Sequence, residues 1–444
     1  MHHPQRLPFK GLVYYGFGIF GWSLSINLIS VMLLYVYLPP QNAGMSNLVP
    51  QVTVFVVFNI IALVTAAGRL FDAVIDPLIA NFSDRSNFRL GRRIPFMRVA
   101  AVPMAFFAIL IFIPPHTTEH NFNIFWLALV QVGYYFFFGL YVIPYNALLA
   151  ELGHYPNGKM QLSTAQSVGF ILGVVFSTIA PAVADFIQTL APGMARLTSI
   201  QYAIGIVNVV GAIAMLIPAF TIDEKKYCKP ASASEPVLTS LRNAWRNHNF
   251  RAFAMADAAF FFSTAVITGG LLYYVKVLLN LPEAWGTPLM ACMVTVTLLM
   301  YPVVNVLEKK YSKKKMMIMA FLALSLVFFG IFNLGRYPVS PVAQVVTLMV
   351  LFGLFDSFLG ILPNTVVADI AEIDTKLTGQ NKEGMYFGMR ALFQKLGQTI
   401  GIMLFAMLTL YGKDPGNDLG LRLSGVVGGG LCLFAALVYT KYRE

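Results

Sequence analysis

Charge is what this sequence is short of. Asp, Glu, Lys and Arg make up 11% of 444 residues while 57% are apolar, whereas a water-facing surface is roughly 25–35% charged. That shortage excludes an ordinary soluble domain and leaves lipid as the surrounding medium. Cysteine is scarce as well. Cys228 falls in a basic loop, and Cys292 and Cys432 fall in apolar runs, a distribution that excludes a disulfide framework or a zinc site, so all three are expected to be inert. Metal-ligand spacings, a phosphate loop and a nucleophile elbow are also missing, so neither an enzyme nor a bound cofactor is expected. The net charge of +11 is distributed among loops between apolar runs, which argues against nucleic acid as a partner.

What is present is a series of long apolar stretches. An α-helix needs about 20 residues, at 1.5 Å each, to cross ~30 Å of hydrocarbon. Such stretches occupy 11–38, 50–80, 94–113, 122–150, 162–185, 198–220, 250–278, 286–307, 316–334, 341–370, 384–411 and 421–441. Helices satisfy their own backbone groups in lipid, so the expectation is an all-α membrane protein with twelve transmembrane helices. The start, Met1 to Lys10, is polar and basic, and the apolar run after it has no small-residue cleavage site, so the first helix is expected to be retained. Lys and Arg gather at the termini and after even-numbered spans, while the opposite loops carry only Arg196, Arg336, Lys413 and Arg422. By the positive-inside rule both termini are cytoplasmic, with the protein multi-pass in the plasma membrane, or in the inner membrane of a bacterium.

The longest polar segment, Asp223 to His248, contains Lys225, Lys226, Lys229, Pro230, a Ser/Ala stretch and Arg242. It reads as a cytoplasmic linker, 223–249, between an N-terminal six-helix bundle, 1–222, and a C-terminal one, 250–444. The halves echo each other. Ser83 to Arg93 after the second span (S-D-R-S-N-F-R-L-G-R-R) and Leu307 to Lys315 after the eighth (L-E-K-K-Y-S-K-K-K) both place an acid before clustered bases, the mark of an internal repeat. Two pseudo-symmetric bundles rocking about a central site would give alternating access.

Charged groups inside the spans are costly, at least ~2.5 kcal/mol each, and call for a partner or a function. The second span carries three in G-R-L-F-D-A-V-I-D-P, where Arg69, Asp72 and Asp76 stack on one helical face. Pro77 removes a backbone bond one turn back and frees carbonyls beside the acids. Two carboxylates with freed carbonyls can hold a cation, and Asp72 and Asp76 are the candidate ligands. The eleventh span carries Arg390, Gln394, Lys395 and Gln398, of which Gln394 and Gln398 share a face. Lys395 needs a carboxylate, and Asp72 or Asp76 is the expected partner. Asp257, Asp356 and Asn364 read as single polar positions without companions, and the aromatic cluster Tyr134 to Phe138 reads as packing.

At these residues the sequence resembles the glycoside-pentoside-hexuronide cation symporters, the branch of the major facilitator fold that contains melibiose permease. The likeness rests on Arg69 to Pro77 followed by D-R and L-G-R-R-I-P-F, on I-P-Y-N-A-L (Ile143 to Leu148), on A-D-I-A-E-I-D (Ala368 to Asp374), and on E-G-M-Y-F then Q-K-L-G (Glu383 to Gly397). It implies a major facilitator fold, a coupling cation on Asp72 and Asp76, and Lys395 near them. The departures are as informative. Sodium-using sugar members resemble D-x-x-N-D-P, but here Ile75 replaces the asparagine and Gly139 falls where a threonine oxygen would be. The family's sugar-binding acids and arginine fall on Ser23, Val142 and Gln166, leaving Ser23, Asn27, Tyr145, Asn146 and Gln166 as a neutral polar set.

The expected activity is therefore cation-coupled symport of a small solute, a glycoside, sugar or related compound, by a monomer whose other partner is membrane lipid. Transport of an amphipathic lysolipid-like solute, or solute sensing without transport, are the alternatives. With two oxygen ligands gone, H+ is expected over Na+ as the coupling ion. Sodium needs several oxygens, whereas two carboxylates one turn apart bind a shared proton.

Overall fold

The computed structural model describes residues 5–50, 53–54, 58–86, 88–155, 158–228, 245–378 and 383–443. Lys229, Pro230, the Ser/Ala stretch and Arg242 of the expected linker lie outside these residues, as do the side chains of Pro77, Glu383 and Met385. The helices are α1 (Phe9–Tyr37), α2 (Ile60–Arg85), α3 (Ile94–Ile111), α4 (Phe122–Leu152), α5 (Gly158–Ser177), α6 (Ala180–Leu190), α7 (Arg196–Thr221), the single-turn α8 (Glu224–Tyr227), α9 (His248–Tyr273), α10 (Gly286–Glu308), α11 (Lys313–Gly330), α12 (Pro341–Thr378), α13 (Glu383–Leu408) and α14 (Leu419–Tyr439). Among the described residues the only strands are the two-residue pair Thr53–Val54 and Phe58–Asn59.

Among the described residues ten helices are long and apolar enough to cross a membrane, or eleven when α5 and α6, which meet at a 44° bend, are counted as one span. α2 has the length, at 26 residues, but carries Arg69, Asp72 and Asp76 within it. By length and apolar composition alone the expected twelve is therefore one short, and the missing one is the charged helix.

The chain divides into two compact units, Met1–Val52 with Ala67–Ser234, and Thr53–Ala66 with Glu235–Glu444. The same helix pairings occur in each. In the first unit α1 packs on α5 and α7, and α3 packs on α4 and α7; in the second α9 packs on α13 and α14, and α11 packs on α12 and α14. Close approach relies on small residues. A Cβ on Gly169 of α5 would collide with the Gly16 carbonyl of α1, and one on Gly397 of α13 would collide with the Ala258 carbonyl of α9, the close packing that holds helices together in lipid.

The basic loops repeat too. In the first unit Arg92 and Arg93 both pair with Glu151 at the end of α4, at 3.1 Å. In the second, Lys313 pairs with Asp369 near the end of α12 at 2.6 Å. The Glu151 carboxyl is pushed up by burial, against the pull of Arg93 and Arg92. Glu224, at the start of the expected linker, turns back into the fold. Its carboxylate accepts the backbone N–H groups of Arg92 (2.6 Å), Arg93 (2.9 Å) and Ile94 (3.0 Å) and so caps the N-terminus of α3. Burial and then the Glu224 and Glu151 carboxylates push the nearby Cys228 thiol up, which disfavours its thiolate. The Gln5 amide donates to the Lys226 carbonyl, and Asn249 exchanges two bonds with the Arg443 backbone. Each chain end is thus tied to one end of the 223–249 segment.

Candidate functional site

In the first unit the site begins on α2. Gly68, Asp72 and Asp76 recur every four residues and so share one face. Asp72 is 5% exposed; Asp76 and Ile75 are half-buried. Arg69 directs Nη2 to Ser30 Oγ of α1 at 3.0 Å. α4 runs alongside. A Cβ on Gly139 would lie 3.2 Å from Asp76 Oδ1 and 3.8 Å from Ile75 Cγ2, so the bare glycine of α4 faces the lower carboxylate. Neither Ile75 nor Gly139 brings a side-chain oxygen there. Tyr134 lies within electrostatic reach of Asp72 and Arg69 and donates to Ser25 Oγ at 3.4 Å, which in turn donates to Asn208 Oδ1 at 2.9 Å.

The neutral polar set divides in two. Ser23 and Tyr145, expected to offer hydroxyls to a solute, are buried and their hydroxyls are engaged within the protein. Ser23 Oγ donates to the Phe170 carbonyl at 2.9 Å. Tyr145 stacks on Tyr15 at 4.5 Å, and its hydroxyl donates to the Tyr15 carbonyl at 2.7 Å. Both residues tie α1 to a neighbour. Asn146 is exposed and Gln166 half-buried, and Gln166 Nε2 reaches both Tyr15 Oη (2.8 Å) and Asn146 Oδ1 (3.4 Å). Asn27, also half-buried, donates to the Ser23 carbonyl at 2.8 Å.

In the second unit the expectation that Asp257 and Asn364 stand alone is corrected. Arg390 of α13 joins them: its Nε donates to Asp257 Oδ2 of α9 at 2.9 Å, and its Nη1 donates to Asn364 Oδ1 of α12. Gln394 completes the group, donating to Asp257 Oδ2 at 3.1 Å. The sequence concealed this cluster because its members come from three helices far apart in the chain. Lys395 and Gln398 are half-buried on the same helix; Lys395 belongs to the second unit, Asp72 and Asp76 to the first.

A polytopic helical chain with two acids on its second long helix is matched by the family described as MFS/sugar transport protein over residues 14–413. The chain belongs to this family. Among curated relatives of this sugar-transport protein, the isoprimeverose transporter of Lactiplantibacillus pentosus is 22% identical, covering 98% of this chain and 90% of its own length. The glucuronide carrier protein homolog of Escherichia coli (strain K12) is 23% identical, covering 84% and 82%. The fold is similar to the crystal structure of a D-xylose-proton symporter, with TM-score 0.68 at 13% identity, covering 98% of this chain and 97% of that one.

In this major facilitator protein, two features of the first unit escape motif reading. Gln131 of α4 is 1% exposed and lies against Gly68, one turn before Asp72; a lone glutamine in an apolar run carries no sequence signal. An apolar groove of about 670 Å³ runs between α1 and α5, lined by Phe9, Val13, Phe17 and Leu172 with Gln161 and Thr164 among them.

Proposed function

We propose that this chain is a cation-coupled symporter that moves a small sugar or glycoside by alternating access, driven by H+ bound at Asp72 and Asp76. The observation that carries the reading is the pair of acids one turn apart on α2, with Ile75 beside Asp76 on that helix and Gly139 of α4 against Asp76, neither bringing a side-chain oxygen. A proton needs one basic oxygen, whereas a sodium ion needs several. Lys395 is the counter-charge of the pair and Arg69 its local support. Asn27, Asn146, Gln166, Gln394 and Gln398 contact the solute, while Ser23 and Tyr145 hold the helices that present them. The names of the relatives, which specify isoprimeverose and a glucuronide, support a hydroxyl-bearing solute. Both termini are cytoplasmic and the transporter works as a monomer.

The groove between α1 and α5 favours a second reading, an amphipathic lysolipid-like solute, because its walls are apolar with polar groups confined to Gln161 and Thr164. Thermal stabilisation by isoprimeverose, D-xylose and glucuronides, set against lysophosphatidylcholine, separates the two readings, since a ligand stabilises according to its occupancy.

The coupling test is uptake into proteoliposomes under a pH gradient without sodium, and then under a sodium gradient at equal pH. One charge across ~100 mV supplies ~2.3 kcal/mol, roughly forty-fold accumulation. Asp72→Asn and Asp76→Asn are each expected to abolish accumulation while retaining exchange. Wild-type accumulation in both variants would overturn the site, and uptake driven by sodium alone would overturn the proton.

A further inference from the structure

Gln131 is the anomaly of the first unit. It is 1% exposed in the middle of α4, and neither its Nε2 nor its Oε1 has a hydrogen-bond partner among the described residues. Arg69 Nε, on the facing helix, is likewise buried without a partner. A buried polar atom left unmade costs about 1–3 kcal/mol, and native proteins meet such groups with bound water or ligand. The position is not accidental to the chemistry. A Cβ on Gly68 would come 2.8 Å from Gln131 Oε1 and 2.9 Å from Tyr135 Cε2, so only a glycine lets the amide close directly against this face of α2. Asp72 is one turn further along that same face of α2.

We propose that the unpartnered Gln131 amide and Arg69 Nε hold a water between α2 and α4 that hydrates Asp72 and delivers the coupling proton to it. The inference rests on the proton-coupled reading above. The choice of water over a cation follows from the amide itself: a cation would satisfy Oε1 and leave Nε2 unmade, whereas water both donates and accepts. Arg69 Nε donates to the same water. The charged and titratable groups around it are Arg69, Asp72 and Asp76 on α2 and Tyr134 and Tyr135 on α4, with the Ser25 and Ser30 hydroxyls on α1. The transfer step is balanced without a co-reactant: as the site water gives a proton to the ionised Asp72 carboxylate it takes one from a hydronium arriving from solvent, so two O–H bonds break and two form, leaving water and a neutral acid. The site replaces, one turn away, the polar surroundings that Ile75 and Gly139 no longer give the acids.

The test reads water directly and needs no solute. X-ray radiolytic footprinting with mass spectrometry hydroxylates side chains beside bound water even where they are inaccessible to bulk solvent. Tyr134 and Tyr135, 0% and 3% exposed, are expected to be labelled in the wild-type protein. Labelling should fall about tenfold in Gln131→Leu, the factor expected for ~1.4 kcal/mol of lost hydrogen bonding, and should persist in Gln131→Glu, which keeps a polar group and guards against a packing effect. Absence of labelling in the wild type, or unchanged labelling in Gln131→Leu, overturns the proposal. So does labelling that appears only when NaCl is replaced by choline chloride, which would make the amide oxygen a sodium ligand. The Asp72→Asn uptake assay reads the coupling assignment separately, so the water site and that assignment fail independently.

Discussion

At the scale of single residues, the proposed proton coupling is tested by two positions beside Asp76. Ile75 and Gly139 are where oxygen is missing, and Gly139 has room for a small side chain only if Ile79 Cδ1, 3.0 Å from the added Cβ, gives way by a few tenths of an ångström. The tip of an isoleucine can do so. The paired substitution Ile75→Asn with Gly139→Ser therefore places two neutral oxygens next to the carboxylates. Uptake in that variant is expected to gain dependence on sodium, with an affinity for sodium raised about thirtyfold if each of the two oxygens contributes ~1 kcal/mol of binding. Sodium-gradient uptake in proteoliposomes measures it, and a variant as indifferent to sodium as the wild type would show that these positions do not face the ion.

Helix ends supply the clearest predictions at the scale of elements. The start of α3 depends on Glu224, whose carboxylate takes three backbone N–H groups, and on Gly91, which has φ of 117° and lies against that carboxylate. A side chain at 91 is strained by the backbone and also displaces the cap. Gly91→Ala is expected to cost at least ~2 kcal/mol and several degrees of unfolding temperature in detergent, with Glu224→Gln losing less because one oxygen remains.

At the start of α14, Arg422 grips Asp418 through two bonds at 2.9 and 2.7 Å and holds the Phe332 and Leu334 carbonyls. The Arg422 hydrogen bonds hold the Asp418 carboxyl below its ordinary value of 3.8. A carboxylate with a lowered folded-state value stabilises the fold above the unfolded value, and that stability is lost as pH falls through the folded one. Amide protection around residues 332–334, taken relative to the intrinsic exchange rate at each pH, should therefore fall at about pH 3 compared with about pH 6. An Arg422→Gln variant should already exchange fast at the higher pH.

The whole molecule is governed by its membrane topology. Gln5 is bonded to Lys226 in the first unit, and Arg443 to Asn249 in the second, and the loop charges imply that both ends are cytoplasmic. With Cys228, Cys292 and Cys432 removed, single cysteines at positions 5 and 443 are expected to react with an impermeant maleimide only after intact cells are permeabilised. Labelling of either from outside would reverse the orientation that the loop charges imply.

The sequence alone determined the broad architecture, because the bilayer imposes it: about twenty apolar residues per crossing, helices as the only open-chain solution, and bases retained on one side. It also exposed Asp72 and Asp76, since acids inside an apolar run stand out and their spacing of four places them on one helical face. The helix pairings repeated in the two units matched what the loops suggested. What the sequence could not display were groups assembled from distant helices. Arg390 with Asp257 and Asn364, Glu224 on α3, and Gln131 opposite Gly68 depend on which faces meet. Tyr145 and Ser23 looked like ligands because the family resemblance placed them in the solute pocket. Only the tertiary packing decided that their hydroxyls bond the backbone of α1 and α5.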